Sequence, residues 1–308
     1  MGWFSRHLKG KDVDRTPADD ALPPAWAPAV EESRQHGLYN EAPEDEFEEA
    51  ERFCEANPVD SPRFLASYDV DRIRASGARA WGLVQPSLTR FKGKVLNVDA
   101  ERKGGKKVVE VVTDRGCGDT CVLSNFPILG GVYDIQGKEG VYFEVTILKM
   151  EGIVAIGTAC QPYPSYRFPG WNRLSAGLHL DDFSKFFEDP NGGRPYDRRL
   201  SHISPGDTIG CGYEFASGTL FYTLNGERLD AAFRGLYLPR TQYDVYAALG
   251  IGGPGANHIL VNFGGDDGEY LFKWKPGREW TWQIDGHVGR LAGSSTEGDE
   301  LPSYSQVA

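Results

Sequence analysis

Four groups of residues in this 308-residue chain have types and spacings that could support chemistry. Gly250, Gly252 and Gly255 fit the spacing G-x-G-x-x-G, which binds a dinucleotide when a strand precedes it and a helix N-terminus follows to receive the pyrophosphate. A strand pattern precedes it here, but residues 257–263 read as another strand, so the segment is expected to be a glycine-rich turn. Asp181-Asp182 and Asp266-Asp267 are paired acids of the kind that glycoside hydrolysis places across a sugar. Adjacent acids on a strand point to opposite faces, and Asp pairs in loops more often cap turns. Cys117 and Cys121 offer two corners of a zinc site, but no second Cys/His pair follows at a suitable distance. His179 and His202 have no nucleophile that the sequence assigns to them, and no G-x-S-x-G elbow is present. The reading is therefore no catalytic residue, no metal and no cofactor.

A fifth group suits binding rather than reaction. Between Gln161 and Trp171 three prolines, Pro162, Pro164 and Pro169, stiffen a loop that carries Tyr163, Tyr166, Arg167, Phe168 and Trp171. Rigid aromatics with an arginine among them are the composition of an interface hot spot, because contact immobilises little side-chain entropy. Trp171 is expected mainly to pack, with Tyr166 and Arg167 reaching the surface.

The elements that must position this loop are β. Thirty-eight Gly, nineteen Pro and 12% aromatic residues suit a turn-dense all-β chain. Short strands separated by Gly, Pro, Asn or Asp are expected at 95–98, 108–112, 121–124, 140–148, 153–159, 176–180, 208–213, 219–224, 245–250 and 258–263. Gly104-Gly105 would turn the first pair. Asn225-Gly226 tolerates positive φ at both positions and predicts a type I′ hairpin between 219–224 and 227–229. Such regular strands imply a two-sheet antiparallel β-sandwich from about 79 to 288. Ahead of it a helical extension is expected over 41–78. It begins with an amphipathic helix at 43–57, where acids in the first turn complement the helix dipole. A second short helix follows at 69–76 and stops at Gly77. Residues 1–40 and 289–308 read as a loose segment and a flexible tail by composition.

Charge excludes some partners. A formal net charge of −11 argues against nucleic acid, which needs a positive face. Five scattered cysteines make a poor disulfide framework and fit a reducing, cytoplasmic setting. No stretch approaches the roughly 20 apolar residues of a membrane span, and Arg6 stands where a myristoylation site wants Ser or Thr.

Several words occur in order along the strands: Tyr142-Phe143-Glu144-Val145, Pro164 through Trp171, Gly177 through Asp182, Gly206 through Gly212, Phe221 through Gly226, and Val261-Asn262-Phe263-Gly264. Together they resemble a SPRY domain, over a core of about 131–265, of the branch that contains RanBPM and the fungal ubiquitin-ligase adaptors of vacuolar and endosomal membranes. The resemblance implies a concanavalin A-like jelly roll that binds a protein or peptide cargo through loops at one end. Carried over by position, that surface includes Tyr163, Tyr166, Arg167, Phe168, Trp171, Asp181, Asp182 and Tyr196. Near the C-terminus, Leu301, Pro302 and Tyr304 form L-P-x-Y, similar to the P-P-x-Y ligands that WW domains of Nedd4-type HECT ubiquitin ligases bind. There proline favours an extended backbone and tyrosine fills the neighbouring pocket. The expected function is a non-catalytic adaptor recruited to endosomal or vacuolar membranes through partners. The competing class is a lectin-like carbohydrate binder or glycoside hydrolase on a similar sandwich.

Overall fold

The computed structural model describes residues 44–87, 89–98, 108–264 and 271–288. The 1–40 segment, the Gly104-Gly105 turn, Asp266-Asp267 and the 289–308 tail with Leu301, Pro302 and Tyr304 lie outside them. Two helices come first, α1 (Glu44–Ala56) and α2 (Ser67–Ser76). Gly77, at φ 57°, ends α2 by donating its N–H to the Ile73 carbonyl, in a backbone region that side chains disfavour.

Thirteen strands follow among the described residues: β1 (Gly93–Leu96), β2 (Val109–Thr113), β3 (Cys117–Leu123), β4 (Gly140–Met150), β5 (Ile153–Cys160), β6 (Ser175–His179), β7 (Ser184–Phe187), β8 (Arg194–Pro195), β9 (Thr208–Glu214), β10 (Thr219–Leu224), β11 (Glu227–Phe233), β12 (Val245–Gly253) and β13 (Asn257–Asn262). They form a seven-stranded sheet, β1-β2-β13-β4-β9-β10-β11, and a six-stranded sheet, β3-β12-β5-β6-β7-β8. Every pairing is antiparallel. The sandwich reading therefore holds. Alternation builds the core: Val145 and Ile147 of β4, Val154 and Ile156 of β5, Leu178 of β6 and Leu249 of β12 all point between the sheets and are buried. Asn225 and Gly226 both have positive φ, 51° and 89°, as a type I′ turn requires. Gly250 to Gly253 complete β12 rather than forming a turn, and only residues 254–256 join it to β13, so no helix follows to receive a phosphate. Strands β7 and β8 escaped the sequence reading because, at four and two residues, they are too short to show a sustained alternation.

Both outward faces are covered. On the seven-stranded sheet, Tyr142 and Phe221 meet Phe272, Trp274 and Trp282 from the segment that follows β13. Glu144, 3% exposed, anchors that segment. Its carboxylate accepts the backbone N–H of Lys273 and of Trp274, each at 3.0 Å, and the Tyr142 hydroxyl at 2.9 Å. At the edge of the same sheet, the β11 carbonyls of Arg228, Asp230 and Ala232 accept hydrogen bonds from Arg199, Tyr196 and Lys185. Side chains thus occupy edge positions that a foreign strand would otherwise use.

Glu144→Ala should release the aromatic segment, because two backbone donors and a phenol lose a buried charged acceptor. A loss of about 2–4 kcal/mol is expected in urea unfolding, with a red shift of tryptophan emission in the folded state. An unchanged midpoint would remove Glu144 from this anchoring role.

Candidate functional site

The aromatic loop does not project from the sandwich; it lies back on it. It leaves β5 after Cys160, crosses the outward face of the six-stranded sheet and re-enters at Ser175 in β6. That face is kept low by Ala155, Gly157 and Ala159 on β5, Gly177 on β6, and Ala248 and Gly250 on β12. A Cβ at Gly250 would come within 2.8 Å of the Phe168 ring, and one at Gly177 within 2.2 Å of the Pro169 carbonyl oxygen. The loop pins itself internally. The Tyr163 hydroxyl donates to the Phe168 carbonyl at 2.6 Å, and Ser175 Oγ accepts the Gly170 N–H at 2.9 Å and donates to the Asn172 carbonyl at 2.5 Å. The Cys121 N–H donates to the Ser165 carbonyl at 2.7 Å, tying the loop to β3.

Its side chains divide accordingly. Tyr163, Phe168 and Trp171 are buried. The Phe168 and Trp171 rings stack at 5.0 Å, and both lean on His179, whose ring lies 4.3 Å from Phe186. His179 Nε2 donates to the Pro169 carbonyl at 3.0 Å, and burial holds the imidazole neutral by pushing its pKa down. This histidine is a structural post. Arg167 corrects the sequence reading, which sent it to the surface: it is 1% exposed. Its guanidinium lies 4.6 Å from the Trp171 ring centroid and Nε donates to Asn172 Oδ1 at 3.1 Å. The low sheet face draws the whole loop inward, and α1 closes over it. Tyr166 is half-buried, with Arg90 5.3 Å above its ring.

The other carried-over residues lie apart from this loop in the chain and in role. Asp182 is exposed in the β6–β7 turn, where its carboxylate accepts the Ser184 N–H at 2.8 Å, a turn-capping role. Asp181 beside it is half-buried. Tyr196 packs on Tyr222 at 5.5 Å and donates to the β11 backbone. Cys117 belongs to the inter-sheet core while Cys121 faces outward, so the two thiols cannot share a metal.

From sequence the 43–57 helix is expected on the outside of the sandwich, but not on this face or through these contacts. Glu46 of α1 pairs with Arg90 at 3.1 Å, and Glu51 accepts from Asn172 Nδ2 at 2.7 Å. Arg173 donates to the Cys54 and Asn57 carbonyls at the end of α1. Asp119 on β3 sits near Arg90, Arg167 and Glu46. Burial, with Glu46 second, pushes its carboxyl up to about 6 against the pull of the two arginines. The run of Gly and Ala at every second position of β5 and β12 was the signal available in the sequence.

A two-sheet sandwich whose faces carry aromatic and arginine-bearing segments, with His179 and five buried cysteines given over to packing, has the construction of a recognition module. Residues 140–266 match the SPRY domain family, and this part of the chain is a SPRY domain. SPRY domains are protein-interaction modules. The chain is similar to Protein ssh4 of Sclerotinia sclerotiorum, 30% identical over 222 residues, which is 71% of this chain and 37% of that protein. It is 30% identical to a SPRY domain-containing protein of Schizosaccharomyces pombe over 61% of this chain and 44% of the other. A Drosophila melanogaster Ran-binding proteins 9/10 homolog is 36% identical over 43% of this chain and 13% of its own length. The chain thus spans less than half the length of these curated relatives.

Two outcomes follow from the loop's burial. Arg167→Ala should cost about 1–3 kcal/mol of stability in urea titration, by loss of the ring contact and the Asn172 bond; an unchanged midpoint would contradict the packed placement. Asp119 gives a pH signature. Its folded pKa is raised, so its contribution is fully present below about pH 4 and is lost as pH rises toward 6. Asp119→Asn should remove that loss, on the order of 2 kcal/mol, seen as a flatter dependence of the unfolding midpoint between pH 4 and 7.

Proposed function

We propose that the chain is a non-catalytic adaptor whose SPRY sandwich captures a protein or peptide cargo. Its Leu301-Pro302-Ser303-Tyr304 segment recruits a WW domain of a Nedd4-type HECT ubiquitin ligase. The observation that carries the reading is the SPRY domain at 140–266 set in a chain similar to Protein ssh4. Within the carried-over surface Asp182 is exposed, while Tyr166, Asp181 and Tyr196 are half-buried with the Tyr166 hydroxyl and one Asp181 oxygen turned inward, so cargo contact falls to Asp182 and to the outer edges of the other three. Tyr163, Arg167, Phe168 and Trp171 are the frame beneath. Among the described residues no helix is long and apolar enough to cross a membrane. Recruitment to endosomal or vacuolar membranes then runs through the cargo or the ligase.

The hydrolase alternative has weaker support. Two carboxylates, Glu139 and Glu214, line a concavity of about 590 Å³ beneath Trp274 and Trp282. Glu139 accepts from Trp282 Nε1 at 3.1 Å and pairs with Arg278 at 3.4 Å. For Glu214, burial pushes upward, but hydrogen bonds from Arg228 and Ser217 prevail and hold it below its usual range. A glycosidase general acid needs a raised pKa instead.

A labelled peptide of residues 298–308 should bind a panel of Nedd4-type WW domains in the micromolar range, about −8 kcal/mol at 1 μM. Tyr304→Ala and Pro302→Ala should each abolish that binding, and full-length Tyr304→Ala should still capture cargo without promoting its ubiquitination. Identical titrations of wild-type and Tyr304→Ala peptides would overturn the ligase half of the proposal.

A further inference from the structure

Three arginines, Arg90, Arg167 and Arg173, gather around the loop on the outward face of the six-stranded sheet, with Asp119 the acid contributed by the sandwich itself. Several donors there are buried without an acceptor among the described residues: Tyr166 Oη, Arg167 Nη1, Trp171 Nε1 and Arg173 Nε. Folded proteins rarely leave buried donors unmet, and here four come from one eight-residue stretch. Two of the four, Arg167 Nη1 and Trp171 Nε1, belong to the frame of the recognition loop. The arrangement has more capacity for acceptors and negative charge than its present contacts fill.

What covers it is acidic. Helix α1 carries seven acids, Glu44, Asp45, Glu46, Glu48, Glu49, Glu51 and Glu55, against Arg52. Two of them are spent on the surface, Glu46 on Arg90 and Glu51 on Asn172. The apolar seam is one narrow stripe: Ala50 and Cys54 are buried, and Phe47 and Phe53 beside them are half-buried. At the far end Arg173 grips the Cys54 and Asn57 carbonyls, groups that every helix presents at its C-terminus whatever its sequence.

We propose that this arginine-lined face is a docking site for an acidic, helix-forming segment of a partner protein, and that α1 is its resident, exchangeable occupant. Arg173 takes the end of the incoming helix, and Arg90 with Arg167 takes a carboxylate about two turns upstream, the separation between Cys54 and Glu46, roughly 12 Å at 1.5 Å per residue. Exchange is favoured because the Glu46–Arg90 pair, the Glu51–Asn172 bond and the Arg173 grip on backbone carbonyls are contacts that another acidic helix reproduces, whereas the unmet donors give a better-fitting segment bonds that α1 does not make. Asp119 opposes an incoming carboxylate while it is ionised. This rests on the protein-binding reading above and names the chemistry of the partner.

The test uses the full chain in a release form, Glu46→Lys with Glu51→Lys, and a second release form, Ala50→Arg. The probe is a fluorescein-labelled peptide of the Glu44–Ala56 sequence, read by anisotropy. Both release forms should bind it at least tenfold more tightly than wild type, and added salt should weaken binding. A peptide with Gln at 46 and 51 should bind at least tenfold more weakly. Within the release background, Arg90→Glu and, independently, Arg167→Met should each cost tenfold or more, with folding checked by circular dichroism. Equal or absent binding by wild type and both release forms overturns the proposal, as does equal binding of the Gln peptide. Displacement of the probe by millimolar inorganic phosphate would make this a plain anion site. A release form that dimerises in light scattering and ignores the probe would assign the surface to a second copy; either result overturns the partner reading. None of these outcomes bears on the WW titration, so the two proposals fail separately.

Discussion

The absence of bulk on one sheet face is the constraint from which the rest of this structure follows. Ala155, Gly157 and Ala159 on β5, Gly177 on β6, and Ala248 and Gly250 on β12 leave a shallow bed where most sandwiches would carry larger side chains. A methyl group at Gly250 would collide with the Phe168 ring. With the bed low, the proline-stiffened loop lies flat, Phe168 and Trp171 pack on His179, and Arg167 is drawn under cover. Raise the bed and the loop, the arginine cluster and the seat of α1 are all displaced together.

The two outward faces solve the same problem by different means. On the seven-stranded sheet an aromatic segment is fastened by one buried carboxylate, Glu144, that satisfies backbone donors on the incoming chain. On the six-stranded sheet a loop is fastened by its own hydroxyls, Tyr163 and Ser175, and then roofed by a helix held through an ion pair, hydrogen bonds and a narrow apolar stripe. The first cover is apolar and its anchor is fully engaged. The second leaves donors unmet, which is why the capacity for further binding lies on that side.

The charge balance reinforces the asymmetry. The chain is acidic overall, at −11, yet its recognition loop and flanks concentrate arginine. In water such surface pairs contribute little, but Arg167 is nearly excluded from solvent, where unbalanced charge is costly. Glu46 of α1 and Asp119 of β3 both lie near Arg167 and offset part of that charge within the same chain.

Much of the architecture was legible in the residues themselves. Alternation of apolar side chains fixed which strands face the core, Asn225-Gly226 fixed a hairpin, and Gly77 fixed the end of α2, because each depends on neighbours only a few positions away. The SPRY resemblance was legible for the same reason, as an ordered series of local words. The fate of Arg167 was not, nor were β7 and β8. An arginine between aromatic residues on a proline-rich loop reads as exposed; whether it is exposed depends on the height of a sheet face built from three other segments and on a helix more than a hundred residues earlier. Sequence alone set the sandwich and the composition of the binding loop. Tertiary structure alone decided which of that loop's side chains meet solvent, because burial is a property of what packs across the chain and not of what stands next to it.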